Sequence, residues 1–208
     1  MKAAISSFLL LLAVVSGAQV KMKVLVNGQQ VGTAALFLSR YKTGDLNQDI
    51  SINLDVNGHT ASFETKMLMS PSGKPIRESS EETDGMRAKT TTMVYGPTNL
   101  QVRVTINGKS TTSTVAIPKG NIADASAVWF VAIRPKVGTT TTYSSYNETL
   151  KKWESKTAKY LGDDKVPESQ ATAHHIHHQD GDLWVDDKGM PLRIELSQGG
   201  AQMVLVRS

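Results

Sequence analysis

The residues best able to do chemistry in this chain are its histidines, four of five of which stand together in the run His174–His178. If the run forms a strand, His175 and His177 share one face, because side chains alternate along a strand. The other two histidines then flank Ile176 on the opposite face.

Two histidines at positions i and i+2 can chelate a divalent metal when a third ligand comes from elsewhere. His59 or the pair Asp180 and Asp182 could supply that ligand. The spacing matches no established metal signature, however. The run is therefore more typical of an exposed polar strand, and we predict no metal ligand and no cofactor.

Paired carboxylates are the other candidates for acid–base chemistry. They occur at Glu81-Glu82, Asp163-Asp164 and Asp186-Asp187, each beside turn residues, where Asp commonly caps the backbone. The chain has no G-x-S-x-G elbow, no cysteine and no phosphate-binding glycine loop. We therefore predict a protein that is not an enzyme and has no catalytic residue.

Large apolar side chains indicate either an ordinary core or a site for an apolar ligand. Methionine adapts to irregular ligands as readily as to irregular cores. The candidates for ligand binding, such as a lipid or an acyl chain, are Phe63, Met67, Trp129, Phe130 and Trp184.

Residues 1–18 have the composition of a secretory signal peptide. Lys2 precedes an apolar stretch from Ala3 to Val15, and Ser16-Gly17-Ala18 offers small residues for cleavage. The stretch is too short for a membrane span, and no later segment approaches the length that spanning needs. We expect an exported mature chain, periplasmic or extracellular, without a transmembrane segment.

Composition narrows the partners further. The chain lacks cysteine, so an exported form cannot depend on disulfides. Its net charge is +4, but the basic residues are scattered rather than clustered. A nucleic-acid partner is therefore not expected.

Three Asn-Gly pairs predict β-hairpins, because both central residues of the tight turn need positive φ. They are Asn27-Gly28, Asn57-Gly58 and Asn107-Gly108. Around the second pair, the alternation predicts that Val56 faces His59, Leu54 faces Ala61 and Ile52 faces Phe63.

Alternating patterns predict further strands, and no parallel βαβ unit is visible. The predicted later strands cover 74–82, 86–95, 138–147, 152–160, 168–178, 182–186, 190–197 and 201–207. An Ala-rich segment, 121–130, is the one helix candidate; its rival is a plain strand from Ala127 to Ile133. Segment 139–160 fits a helix in part, but its run of threonines favours two strands joined near 147–151.

One short motif occurs twice. Gly73-Lys74-Pro75-Ile76-Arg77 returns as Gly189-Met190-Pro191-Leu192-Arg193, each after a polar turn. Glycine supplies an unusual backbone angle and proline can begin a strand without donating a hydrogen bond. The repeat predicts two equivalent corners in a chain with two pseudo-equivalent halves that meet near Pro118.

The order of these features resembles the envelope half-barrel superfamily that includes the lipoprotein carriers LolA and LolB, and especially its bacterial members of unknown function. The resemblance rests on the segments Gln30–Gly32, Ile117–Gly120, Arg134–Gly138 and Leu183–Glu195 and covers most of the chain after residue 18. It implies a mainly β fold, a single highly curved antiparallel sheet of about 11–13 strands around a short helical plug.

Together these observations favour one domain, residues 19–208, that works as an exported, non-enzymatic binding protein. Its ligand would be apolar, or it would bind a protein partner in the envelope. The alternative is a metal-dependent envelope enzyme that uses the run His174–His178.

We predict that the exported protein begins near Gln19, because cleavage follows small residues at the end of the apolar stretch. N-terminal sequencing of the protein from a periplasmic or extracellular fraction checks this. An intact Met1 in that fraction would contradict it.

Overall fold

The computed structural model describes residues 18–122, 126–167, 169–198 and 201–208. These residues form fourteen strands and one helix, α1, which spans Ser126–Ile133. The strands are β1 Ala18–Val26, β2 Gln29–Arg40, β3 Leu46–Val56, β4 His59–Met69, β5 Pro75–Asp84, β6 Arg87–Tyr95, β7 Asn99–Ile106, β8 Lys109–Ala116, β9 Thr140–Asn147, β10 Lys152–Lys165, β11 Thr172–His178, β12 Gly181–Val185, β13 Pro191–Gln198 and β14 Ala201–Arg207.

All fourteen strands belong to one antiparallel sheet, in the order β8-β7-β6-β5-β4-β3-β2-β1-β14-β13-β12-β11-β10-β9. The first and last strands of the chain pair in its interior, where Val24 lies opposite Leu205. The mainly β, antiparallel prediction is confirmed. The predicted total of 11–13 strands is too low, because each alternating segment keeps its own turn and none merges with a neighbour.

The three Asn-Gly hairpins form as predicted. Asn57 and Gly58 have φ values of 55° and 78°, and both residues of the other two pairs also have positive φ, between 48° and 82°. Around Asn57-Gly58, Val56 pairs with His59, Leu54 with Ala61 and Ile52 with Phe63, as predicted. Local turn chemistry and alternation thus determine this part of the sheet.

The repeated motif builds two equivalent corners. Gly73 donates its N–H to Ser70 O and Gly189 donates to Asp186 O, at 2.9 and 2.8 Å. Both glycines have positive φ, and Pro75 and Pro191 each begin a strand beside a shift in pairing register. Whether the two halves of the chain are equivalent beyond these corners stays a prediction.

The helix α1 continues through Ile133, beyond the predicted end at 130, so the rival strand 127–133 is wrong. The predicted helix residues 123–125 lie outside the described residues, as do residues 1–17. Segment 139–160 forms two strands, as predicted.

One face of the sheet, which we call the inner face, carries the main core. Its defining residues are Val24, Ile52 and Leu183, all at most 1 % exposed. Trp129 and Phe130 of α1 belong to the same buried cluster. The helix therefore plugs the inner face, as the plug prediction requires.

The two ends of the sheet overlap instead of pairing. Tyr146 and Trp153, on the outer face of β9 and β10, pack against Met93, Leu100 and Val102 on the inner face of β6 and β7. Trp153 Nε1 donates to Ala116 O at 2.8 Å. The sheet is therefore rolled but not closed into a barrel.

Gly32 marks a close approach between β2 and β3. A Cβ atom at this position would lie 2.0 Å from Asn53 O. We predict that Gly32→Ala destabilises the protein by at least about 1–3 kcal/mol, as overpacking against a fixed backbone does. Denaturant unfolding measures this, with Thr33→Ala on the exposed face of β2 as control. Equal stability of the two variants would contradict the predicted contact.

Candidate functional site

The inner face of β4 leads from a half-buried aromatic ring into the core. Phe63 is half-buried and packs against the main cluster, while Met67 and Met69 are both 1 % exposed. Alternation puts Thr65 between Phe63 and Met67 on the same face. The half-buried apolar side chains around the main cluster are Val26, Val31, Ala61, Phe63 and Val131.

A buried carboxyl group lies beside Met67. Glu78 on β5 is opposite Met67 on one side and Met93 on the other, so all three side chains share the inner face. Glu78 is 2 % exposed, and its Oε2 atom has no hydrogen-bond partner among the described residues. A polar atom in this position is unusual, since buried polar groups are nearly always paired.

Burial raises the pKa of Glu78 to about 8, and the charge of Glu148 adds to the effect. The side chain is therefore neutral near pH 7 and can donate a hydrogen bond as well as accept one. Burial, together with Glu78, also raises the pKa of the nearby Tyr95 phenol.

Glu148 holds the overlapping ends of the sheet together. Its Oε2 atom accepts hydrogen bonds from Lys89 Nζ at 2.8 Å and from Thr91 Oγ1 at 3.1 Å. Lys89 Nζ also lies 3.5 Å from Glu82 Oε1. Lys89 thus lies beside the Glu148 carboxylate, whereas no salt bridge to Glu78 occurs among the described residues, so no cation there offsets the effect of burial on the pKa of Glu78.

Four of the five residues predicted to bind a ligand lie on the inner face or pack against it, while ligand binding itself stays a prediction. Phe63 and Met67 are on the inner face, and Trp129 and Phe130 of α1 pack against it. Met67 and Phe130 are almost fully buried, however, and so also serve as core.

Trp184 is the exception. Its neighbour Leu183 is on the inner face, so Trp184 is on the outer face, opposite His175 and Arg193. Its ring stacks on His175, with 4.2 Å between ring centroids, and the Arg193 guanidinium lies over it at 5.4 Å. The run Leu183-Trp184-Val185 is buried throughout, so alternation could not assign its faces.

The histidine run forms β11, with His175 and His177 on one face as predicted. The expectation of an exposed strand is wrong for most of the run, because β11 lies between β10 and β12 and His177 is the one exposed histidine of this strand. His178 is 1 % exposed, and its burial lowers the pKa to about 4. The hydroxyl of Tyr143 lies 3.2 Å from His178 Nδ1.

On the outer face, ring nitrogens of the histidines contact an aspartate oxygen. His175 Nε2 and His177 Nδ1 lie 2.8 and 3.0 Å from the same atom, Asp182 Oδ1. The two rings thus contact the same carboxylate oxygen and do not converge on an open position where a metal ion could bind. Within the described ranges, no group of three or more His, Asp or Glu side chains is arranged to hold a metal ion.

His174, on the inner face, anchors the helix. Its ring lies between Asp163 and Asp187, with N–O distances of 2.6 and 2.9 Å, and packs on Phe130 with 4.6 Å between centroids. Hydrogen bonds from Tyr160 and His174 lower the pKa of Asp163. Arg134, just after α1, donates to Asp187 O. These contacts tie the plug to β10 and β11.

The sequence did not reveal Glu78 or these aspartates as partners. Asp186 caps its turn as predicted, accepting from Lys188 N and Met190 N, but Asp163 and Asp187 face His174 instead. Glu78 directly follows the first copy of the repeated motif, in a segment where both faces of the strand read as polar. Only the register across β4, β5 and β6 shows which face it occupies.

An open groove of about 400 Å³ lies on the outer face of β2–β5. Short polar side chains line it, and Thr33, Asn53, Ser62 and Thr83 form one row across the four strands. It has no aromatic ring and only one carboxylate, Asp55, which accepts from Gly58 N. The inner face offers more distinctive chemistry than this groove.

We predict opposite pH effects from the two buried titratable groups. Folded Glu78 keeps its proton up to about pH 8, whereas an unfolded chain loses it near 4.5, so the free energy of unfolding falls as pH rises between these values. Folded His178 resists protonation down to about pH 4, so stability also falls as pH drops below 6.5.

Wild-type Glu78 should make the free energy of unfolding fall by up to about 1.4 kcal/mol per pH unit between pH 5 and 8, and Glu78→Gln should remove this contribution. Denaturant unfolding at a series of pH values measures this slope. Glu81→Gln, on the exposed face of the same strand, is the control. An unchanged slope in Glu78→Gln would show that the carboxyl is not neutral in the folded protein.

Comparison with known proteins places the fold. The chain is similar to a β-barrel-like protein of unknown function, DUF1849, from Brucella abortus, with a TM-score of 0.68 and 9% identity over 94% of this chain and 97% of that one. A DUF1089 family protein from Pseudomonas aeruginosa shows a TM-score of 0.40 and 9% identity over 78% of this chain and 88% of that one. No family model and no curated protein matches the sequence. The first likeness supports the curled β-sheet; membership of the lipoprotein-carrier superfamily stays a prediction.

Proposed function

We propose that this is an exported, non-enzymatic binding protein that holds an apolar ligand, such as a lipid or an acyl chain, against the inner face of its sheet. The observation that carries the proposal is the row of side chains on β4, which runs from half-buried Phe63 to Met67. Beside Met67 lies the buried Glu78 carboxyl, whose Oε2 atom has no hydrogen-bond partner among the described residues.

The dimensions and chemistry of this row suit an amphipathic ligand. Met67 lies four positions after Phe63 along the strand, which corresponds to about 13 Å between their Cα atoms. Half-buried Ala61, two residues before Phe63 on the same face of β4, extends the apolar surface beside Phe63. Met67 and Met93 can change rotamer to admit a chain, and the neutral Glu78 can hydrogen-bond a polar end group.

Export is supported by the signal-like pattern of residues 1–18. Among the described residues, no helix is long and apolar enough to cross a membrane. The alternative, a metal-dependent enzyme, is less well supported because Asp182 already occupies the nitrogens of His175 and His177.

We predict that Phe63→Ala weakens binding of a fluorescent fatty acid by roughly tenfold, since it removes apolar contact area from the half-buried end of the row on β4. Fluorescence titration measures the Kd. Phe37→Ala is the matched control, because Phe37 is 38% exposed on the outer face of the same sheet. Thermal unfolding of both variants separates a loss of binding from a loss of folding.

Two results would overturn the proposal. One is a wild-type protein that binds no fatty-acid probe. The other is equal weakening by Phe63→Ala and Phe37→Ala, because binding would then not involve the inner face.

A further inference from the structure

The edge strand β8 is the least protected part of the sheet. It pairs with β7 alone, and its residues 109–114 are all exposed. Its register against β7 has no bulge, it contains no proline, and Lys109 is its only charged residue. Natural edge strands normally carry bulges, prolines or several charged residues, which prevent pairing with another chain.

The geometry of the hairpin shows which backbone groups are free. In a two-residue hairpin, the residues that flank the turn bond to each other, here Ile106 and Lys109. Residues 109, 111, 113 and 115 thus bond to β7, and Ser110, Thr112 and Thr114 point their N–H and C=O groups outward. Ala116 follows the same alternation, because its C=O accepts from Trp153 on the far end of the sheet.

These outward groups are unpaired. In the described part of the chain, no backbone N–H or C=O of Ser110, Thr112 or Thr114 has a hydrogen-bond partner. The side chains of these three residues share the outer face, where Thr112 lies beside Arg103 of β7. The edge therefore presents a donor and an acceptor at every second residue, centred on Thr112.

We propose that β8 pairs with β8 of a second copy of this chain, antiparallel and about a two-fold axis at Thr112. Thr112 then lies opposite Thr112 of the second copy, and Ser110 lies opposite Thr114. Every free group of the three residues is satisfied in this register. The cross-strand pairs are Thr–Thr and Ser–Thr, which stabilise antiparallel sheets.

The limits of the edge agree with this register. Ala116 falls opposite Gly108, in the turn of the second copy, so pairing ends where Trp153 already occupies the edge. The two copies of Lys109 lie at opposite ends of the pair, about 20 Å apart and beyond the range of unscreened repulsion. A parallel arrangement would instead bring them together.

A second copy fits this edge better than a foreign peptide. Strand addition gains sequence specificity from pockets for alternate side chains. The side chains of residues 110–114 are short hydroxyls and offer no such pocket. The interface is small, so we expect an association that depends on protein concentration.

Charge variants at the centre of the edge test the proposal. The wild-type protein should shift from monomer to dimer as concentration rises in sedimentation velocity. Thr112→Lys and Thr112→Glu should each remain monomeric, because identical charges face each other, and an equimolar mixture of the two should dimerise. Ser113→Lys, whose side chain faces Thr111 in the pair, adds the same charge and should still dimerise.

Cross-linking tests the register directly, because the chain has no cysteine of its own. Thr112→Cys should form a disulfide-linked dimer under mild oxidation, since directly opposed residues lie about 5.5 Å apart between Cα atoms. Thr114→Cys should not cross-link alone but should do so when mixed with Ser110→Cys. A wild-type protein that stays monomeric throughout, dimers that the Thr112 charge variants leave unchanged, or a peptide that binds β8 without any dimer would each overturn the proposal.

Discussion

The pairing of the first strand with the last is the interaction on which the rest of the structure depends. β1 and β14 meet along Met22–Val26 and Met203–Arg207, and each also pairs with its own neighbour in sequence. The chain therefore forms two arms, β1–β8 and β9–β14, joined at this seam. The seam places Val24 and Leu205 opposite each other in the main buried cluster, to which Trp129 and Phe130 of α1 also belong.

Each arm follows from local rules, whereas their meeting does not. The Asn-Gly turns, the alternation around Ile52 and Phe63 and the two Gly-x-Pro corners all act over a few residues, and the sequence predicts them well. The pairing of β1 with β14, and the packing of Tyr146 and Trp153 on β6 and β7, join residues far apart in sequence. No pattern over a few neighbouring residues encodes such contacts. The sequence therefore predicts a curved sheet without predicting how its ends overlap.

Sites were harder to predict than strands, because chemistry depends on which faces meet. Alternation placed Phe63 and Met67 correctly but could not place Trp184, whose neighbours are buried on both sides. Asp163 and Asp187, which contact His174, were read as turn residues, and only the folded structure shows that they lie beside its ring. Glu78 directly follows a repeated corner motif, and no pattern in the sequence shows that burial on the inner face raises its pKa to about 8.

An apolar chain held against the inner face, near Phe63 and Glu78, is the central claim. Native mass spectrometry of the protein, purified without added ligand or detergent, tests it most directly. The claim predicts a fraction of molecules heavier by the mass of a lipid or a fatty acid, which dissociates on collisional heating. Molecules that carry only the mass of the polypeptide, or that of the polypeptide with a bound metal, would contradict it.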